Sequence, residues 1–245
     1  MEINEVARAG FGAAAEAYER GRPSYPEAGV QLLVDALAIG PGRDVLDLAA
    51  GTGKLTRLLV PTGARVVAVE PVASMRALLT CAEVLDGTAE AIPLGDASVD
   101  AVVVGQAFHW FDPEPALAEI ARVLRPEGAL GLIWNERDER VPWVDALGRI
   151  INWQVERPYR RDRDWAAVLD SSGRFSPAQH RQLAHEQEVD ADVLVDRILS
   201  TSYVATWSSD RQAAAAAEVR ALVAEFPPVF RLPYVTDVFW CSAPS

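Results

Sequence analysis

Cysteine is scarce in this chain of 245 residues: there are two, Cys81 and Cys241, far apart. They make no disulfide framework, so a reducing compartment is the natural setting. Histidine is nearly as scarce, with His109, His180 and His185. The last two are five apart, off a shared helical face, and no H-E-x-x-H pair occurs, so no metal site built from protein ligands is expected. Basic residues fall short of acidic ones, 23 to 35, which leaves a formal net charge of −12. Such a chain repels phosphate backbones and anionic lipid, and neither nucleic acid nor a membrane is an expected partner. No apolar run approaches the ~18 residues of a membrane span. The opening Met1-Glu2-Ile3-Asn4-Glu5 lacks the basic and apolar regions of a signal peptide. There is also no G-x-S-x-G nucleophile elbow. A soluble, cytoplasmic globular protein is the expectation.

Half the residues are hydrophobic and 24% are charged, enough for a sizeable core. Short apolar segments alternate with helical ones. Strands are expected at 44–48, 65–69, 84–85, 99–105 and 129–134. Helices are expected at 27–38, 55–60, 73–82 and 114–124, with a further helical stretch over 11–22. Strands alternating with helices imply parallel βαβ units and a doubly wound α/β sheet. Beyond Asn135 the pattern loosens. Residues 136–170 read as helices, 182–189 as a strand, 192–202 and 211–225 as helices, and 234–241 as a last strand. No internal repeat is evident.

The segment Val45-Leu46-Asp47-Leu48-Ala49-Ala50-Gly51-Thr52-Gly53-Lys54-Leu55 is the most informative. It puts a carboxylate at a strand end, then a glycine turn, then a helix start, where a ligand can approach the backbone. A phosphate-binding Walker A loop is excluded, because Leu48 stands where its first glycine belongs and Leu55 where Ser or Thr belongs. A dinucleotide fingerprint fits in part: Gly51 and Gly53 match, but Thr56 occupies the third glycine position. The pattern of an acid ahead of the glycines, Asp47-x-x-x-Gly51-x-Gly53, fits S-adenosylmethionine. Glu70, at the end of the second strand, suits either ligand, since an acid there accepts ribose hydroxyls. Asp47 separates the two, for it would repel a pyrophosphate and attract an ammonium or sulfonium.

These stretches, together with Phe11–Pro26 (FGAAAEAYERGRPSYP), Val67–Met75 (VAVEPVASM), Gly87–Phe111 (GTAEAIPLGDASVDAVVVGQAFHWF) and Ala121–Leu130, resemble the class I S-adenosylmethionine-dependent methyltransferases, in the small-molecule group with a methyltransferase-11-type domain. The likeness covers about residues 10–135. Ala49 departs from it, standing where the family often has a glycine, so that its methyl crowds the cofactor.

The resemblance implies a Rossmann-like doubly wound sheet of seven strands with the last antiparallel, and helical lid additions. The whole of 1–245 is expected to be a single domain, with an N-terminal helical cap over 1–40 and a helical insertion over about 136–175. It implies S-adenosyl-L-methionine as cofactor. Tyr18 and Arg22 would reach the methionine carboxylate, with the 23–26 elbow closing over it. Asp47, Ala49 and Gly51 would line the methionine moiety, and Glu70 would hold the ribose. Met75, Ala89 and Glu90 would meet the adenine, and Gln106 would lie between cofactor and acceptor. His109, beside Phe108, Trp110 and Phe111, either removes a proton from an acceptor hydroxyl or orients the acceptor; otherwise it is a structural histidine in an aromatic cluster.

The expected reaction is methyl transfer to a small-molecule acceptor, with O-methylation of an organic acid or secondary metabolite favoured. A catalytically inactive S-adenosylmethionine-binding protein and a NAD(P)-dependent oxidoreductase are the alternatives. Acceptor choice is assigned to 136–170, where Arg137, Arg140, Arg157, Arg160, Arg161 and Arg163 are interleaved with Trp143, Trp153, Tyr159 and Trp165. That cluster holds an anionic substrate or forms a solvated face paired with Glu156, Asp162 and Asp164.

Overall fold

The computed structural model of the protein describes residues 22–153, 164–201 and 203–244. The helix expected over 11–22 therefore lies outside the described residues up to position 21, as do Tyr18, Arg157, Tyr159, Arg160, Arg161 and Arg163.

Pro26, with its fixed φ, precedes helix α1 (Glu27–Ala36), which buries Gly29, Val30 and Leu33. The helix ends two residues earlier than its apolar spacing suggests, because Ala38 takes a left-handed φ of 51° ahead of Gly40-Pro41. Strands β1 (Asp44–Leu48), β2 (Arg65–Val69), β3 (Glu83–Leu85) and β4 (Val99–Gly105) fall where the apolar runs place them. Helix α2 (Thr56–Leu59) is a single turn. Helix α3 (Ala73–Arg76) is equally short, although the sequence reads as helical to 82. The chain turns away there so that buried Leu79 can lie against the bare backbone of Gly53, where an added Cβ would sit 2.8 Å from Leu79 Cγ. Helix α4 (Pro113–Val123) leads into β5 (Leu124–Arg137), which is longer at both ends than its apolar run. Helices α5 (Pro142–Ile150) and α6 (Trp165–Ser171) fall within 136–175. Strand β6 (Gln179–Val189), helices α7 (Ala191–Leu199) and α8 (Ser209–Leu222), and strand β7 (Phe230–Ser242) complete the order.

The seven strands form one sheet in the order β3-β2-β1-β4-β5-β7-β6. Strands β1 to β5 are parallel, with Leu46 opposite both Val67 and Val102, and Leu130 opposite Val102. Strand β7 runs the other way: Ala243 N–H donates to Gly128 O, and Asp138 N–H donates to Pro233 O. The last strand is thus antiparallel to β5, as the family likeness implies.

The chain divides into two compact units. A sheet unit comprises Ser24–Asn135, Arg163–Leu183 and Thr236–Ser245. A helical unit draws its described residues from Met1–Pro23, Glu136–Asp162 and Ala184–Val235. In the sheet unit, alternate residues of each strand enter opposite cores, as side chains of period two must. Leu46, Val102, Val104, Leu130 and Leu132 pack with Leu117 and Ile120 of α4. Val45, Val103, Ala129 and Ile133 pack with Val30, Leu33 and Leu37 around α1. The helical unit has its own core, with Val144, Leu147, Leu194, Ile198, Val219 and Tyr234. Among the described residues no helix is long and apolar enough to cross a membrane. Both cysteines are free, and burial pushes the Cys241 thiol up to about 12.

The parallel strands meet a knot of charge at their first residues. Arg125 binds Asp44 at 2.8 Å and Asp100 at 2.7 Å, and Asp44 N–H donates to Asp100 Oδ2 at 2.8 Å. The Arg125 side chain holds the Asp44 carboxyl below its ordinary value. On the α1 face, Gly131 allows the helix to approach β5: a Cβ there would lie 2.6 Å from Leu33 Cδ2 and 3.0 Å from Leu37 Cδ2. Gly131→Ala is therefore expected to destabilise the fold by about 1–3 kcal/mol through overpacking. Urea unfolding checks this: the midpoint falls and the slope stays the same, whereas an unchanged midpoint would mean that α1 shifts freely.

Candidate cofactor site

The site is built where β1 and β2 end. After Leu48 the chain turns through three left-handed residues, Ala49 (φ 57°), Gly51 (φ 59°) and Gly53 (φ 85°). Glycine takes this conformation at no steric cost, whereas an alanine there is strained by about 1–2 kcal/mol. The departure at Ala49 is therefore felt in the backbone.

Glu70 follows β2 and is buried, with 4% of its surface exposed. Its Oε2 accepts from Gly51 N–H and its Oε1 from Val72 N–H, each at 2.8 Å. Burial raises its carboxyl above the ordinary value, and the two backbone donors oppose that rise. Arg76 Nη1 donates to Glu70 O at 2.7 Å while the same guanidinium grips Asp86, fixing the peptide that carries the acid. Several N–H groups of the turn are used internally. Ala50 N–H donates to Val69 O, Gly51 N–H to Glu70, and Gly53 N–H to Ala50 O. The turn is thus held by its own bonds, and those three groups form no cradle for a phosphate.

Asp47, on β1, is fully buried. Its Oδ2 accepts from Thr56 Oγ1 at 2.6 Å. Its Oδ1 is buried and has no hydrogen-bond partner among the described residues. Loss of water pushes its carboxyl up to about 7, and the nearby Glu70 carboxylate adds to the rise. A buried carboxylate with one oxygen unsatisfied fits a ligand that brings a positive charge or donors, and opposes a pyrophosphate. Met75 is buried too, and its sulfur faces Gly51, where a Cβ would be 3.8 Å from Sδ.

The other expected residues are placed as follows. Ala89 is buried in the core cluster with Leu48 and Val69. Glu90 Oε1 accepts from Asp112 N–H at 3.0 Å, holding the chain at the start of α4. Arg22 is half-buried and is grouped with the helical unit. Gln106 leaves β4 with a left-handed φ of 60°, and its Nε2 donates to Asn135 O at 3.0 Å. His109 lies in a one-turn helix, Phe108–Trp110. Its Nδ1 accepts from Trp134 Nε1 at 3.4 Å. An indole can only donate, so in the neutral ring the proton sits on Nε2, which is then a donor. Trp134 stacks on Trp165 at 5.6 Å, and Phe108 meets Trp165 edge-on at 5.5 Å, so an aromatic wall backs this segment. Among the described residues no group of three or more His, Cys, Asp or Glu could hold a metal ion.

Sequence reasoning missed the residues that tie these pieces together. Asn135 is buried; its Nδ2 donates to Ser24 O at 3.0 Å and its Oδ1 accepts from Thr236 Oγ1 at 2.7 Å. With Gln106 bonded to its carbonyl, one asparagine joins the elbow, β4, β5 and β7. Tyr25 lies with its hydroxyl over Gly105, at a spot any Cβ would occupy. Thr56, read only as a missing third glycine, is the partner of Asp47. A polar residue directly after the apolar run 129–134, as at Asn135, was the one available signal.

Comparison with known proteins agrees with this geometry. A family model described as a methyltransferase domain matches residues 46–132. An uncharacterized methyltransferase of Mycobacterium tuberculosis is 46% identical over 235 residues, which cover 92% of each chain. A malonyl-[acyl-carrier protein] O-methyltransferase of Methylococcus capsulatus is 38% identical over 132 residues, 49% of this chain and 48% of its own. The structure of Haemonchus contortus phosphoethanolamine N-methyltransferase 2, in complex with phosphomonomethylethanolamine and S-adenosylhomocysteine, shares the fold with a TM-score of 0.64 at 13% identity. That match covers 100% of this chain and 61% of the other. With an acid-led glycine turn, a second acid closing it, and near full-length likeness to a methyltransferase, the chain belongs to the class I S-adenosylmethionine-dependent methyltransferases.

Proposed function

We propose that the protein transfers a methyl group from S-adenosylmethionine to an oxygen of a small organic acid or secondary metabolite. The observation that carries the cofactor half is the pair of buried acids around Gly51, one of them with an unsatisfied oxygen. O-transfer is favoured because one relative is a malonyl-[acyl-carrier protein] O-methyltransferase.

S-adenosylmethionine supplies a methyl group already activated by its sulfonium. The protein's part is to bind, orient and exclude water. Asp47 is the residue that would hold the cofactor's ammonium, through the oxygen that Thr56 leaves open. Each Glu70 oxygen takes one backbone N–H and keeps a second lone pair, so the carboxylate can still accept both ribose hydroxyls. Met75 would offer adenine a polarizable surface. His109, with its Nδ1 held by Trp134, would act as a donor from Nε2 that orients the acceptor. A carboxylate acceptor needs no base at all.

Calorimetric titration with S-adenosylmethionine, S-adenosylhomocysteine and NADH tests the cofactor half. Binding of the first two alone is expected, and binding of NADH alone would sink the reading. The affinity should also depend on pH in a defined direction. Asp47 holds a proton below about 7, and an ammonium partner requires the ionised form. S-adenosylmethionine should therefore bind more tightly by up to about tenfold per unit as pH rises from about 5 to about 7, with one proton released, and then level off. Without ligand the sign for stability is the reverse. The folded protein keeps a proton that the unfolded chain loses near its ordinary value, so Asp47 weakens the fold as pH rises from about 4 through 7. Asp47→Asn should flatten both slopes, and a wild-type affinity independent of pH across this window would remove Asp47 from cofactor binding.

For the acceptor half, candidate carboxylic acids and phenols are screened for methyl ester or ether products. His109→Ala should lower turnover about tenfold, the worth of one orienting hydrogen bond, and leave cofactor affinity unchanged. A loss of about 10²–10⁴ would instead mark a general base.

A further inference from the structure

Helix α7 carries an arginine that its surroundings do not explain. Arg197 is 2% exposed in the core of the helical unit, among Leu194, Ile198 and Val204. Its Nε donates to the Tyr234 hydroxyl at 3.1 Å, and that hydroxyl donates in turn to Gln187 Oε1 at 3.3 Å. Nη1 is buried with no hydrogen-bond partner, and no carboxylate of the described residues lies within ion-pair distance of the guanidinium. One turn further on, Thr201 is 3% exposed, and its Oγ1 is likewise buried and unsatisfied. Thr201 lies just past the end of α7, where Ser200 N–H still donates to Asp196 O and Thr201 N–H to Ile198 O, so it follows Arg197 by about one turn. A buried arginine without a counter-charge is costly, and buried charges in proteins are ordinarily paired.

We propose that Arg197 and Thr201 form a binding site for the carboxylate of a small organic acid. The Nε edge of the guanidinium is taken by Tyr234. The remaining edge, between Nη1 and Nη2, is the one that a planar carboxylate meets with two parallel bonds, and the Thr201 hydroxyl one turn on would give a third donor. Charge favours a carboxylate over a phosphate. One buried guanidinium cancels one negative charge, whereas a dianion would leave an excess inside a protein whose net charge is already −12. The site lies outside 136–170, where arginine count had placed anion recognition. Of the arginines there, Arg140 is exposed and paired to Asp138 at 2.7 Å, and Arg137 is buried with its guanidinium 4.4 Å from the centre of the Trp153 ring. The site stands independently of the methyltransferase reading.

The probe is sodium acetate, compared with chloride and sulfate at equal ionic strength, on the full chain. Acetate should raise the Tm saturably, while chloride and sulfate should not. Arg197→Met should abolish the acetate effect and, having lost an unpaired buried charge, should itself melt about 2–4 °C higher without ligand. Arg197→Lys and Thr201→Val should each weaken acetate binding about tenfold, because one donor of the set is lost. S-adenosylmethionine affinity is measured on the same samples. If the wild type fails to bind it yet responds to acetate, the methyltransferase reading has failed and the carboxylate site stands. No advantage of acetate over chloride would overturn the proposal, as would an Arg197→Met protein that melts lower while Thr201→Val binds acetate normally. A response to sulfate equal to that to acetate would overturn the carboxylate assignment.

Discussion

The Glu70 carboxylate joins two parallel strands at the end where neither has a turn to the other. Parallel strands are linked by crossovers at their far ends, so the loops that follow them must be held by something other than the ladder. Here one oxygen takes the N–H of Gly51 after β1, and the other takes that of Val72 after β2. Arg76 then fixes the peptide carrying the acid. The left-handed path through Ala49, Gly51 and Gly53 is strained for the first of these residues, and it is held by this clamp together with the bond from Ala50 N–H to Val69 O. With the clamp in place, the turn needs no phosphate to order it. The turn is therefore pre-formed, and the chemistry it offers is that of carboxylates.

That arrangement has an electrostatic consequence. Two acids are buried at adjacent strand ends, and the Glu70 carboxylate raises the cost of ionising Asp47. Glu70 is eased by two backbone donors from separate loops, whereas Asp47 depends on Thr56 alone and keeps Oδ1 without a hydrogen-bond partner. The same low-dielectric surroundings that hold a proton on Asp47 make its attraction for a cation strong once ionised. A surface aspartate would bind the same cation weakly and without a pH signature. Burial thus converts a common side chain into a selective one, at a cost in stability that the surrounding core offsets.

Much of the sheet unit was legible in the sequence, because its strands are short, apolar and bounded by glycine or proline. Strands β1, β2 and β4 begin and end where their patterns do. What failed was the length of α3, since a helical pattern through Leu79 cannot reveal that Leu79 is needed against Gly53. The acids Asp47 and Glu70 were legible as strand-end residues, but their partners Thr56, Gly51 N–H and Val72 N–H were not. A hydrogen bond between a side chain and a backbone group nineteen positions away leaves no periodic trace. The partners of Asn135 were invisible for the same reason: Ser24 and Thr236 are more than a hundred residues off in either direction. The run at 136–170 drew attention by density, whereas Arg197 is a single arginine in an ordinary amphipathic helix, whose burial leaves no mark on the sequence.

Several unfavourable features of this protein share a form. Ala49 and Gln106 hold left-handed backbones at the ends of β1 and β4, Asp47 keeps an oxygen without a donor, and Arg197 and Thr201 keep donors without an acceptor. Asn135 and Thr236, of comparable burial, satisfy each other instead. A chain selected for stability alone would replace each of the first set, with glycine at 49, asparagine at 47 or an aliphatic residue at 197. Their retention follows if each unsatisfied group is completed by a ligand. The signs then match the chemistry: a buried anion awaits a cationic donor in the sheet unit, and a buried cation awaits an anion in the helical unit. S-adenosylmethionine and a carboxylic acid have those charges, and each would neutralise a buried group that the fold leaves open.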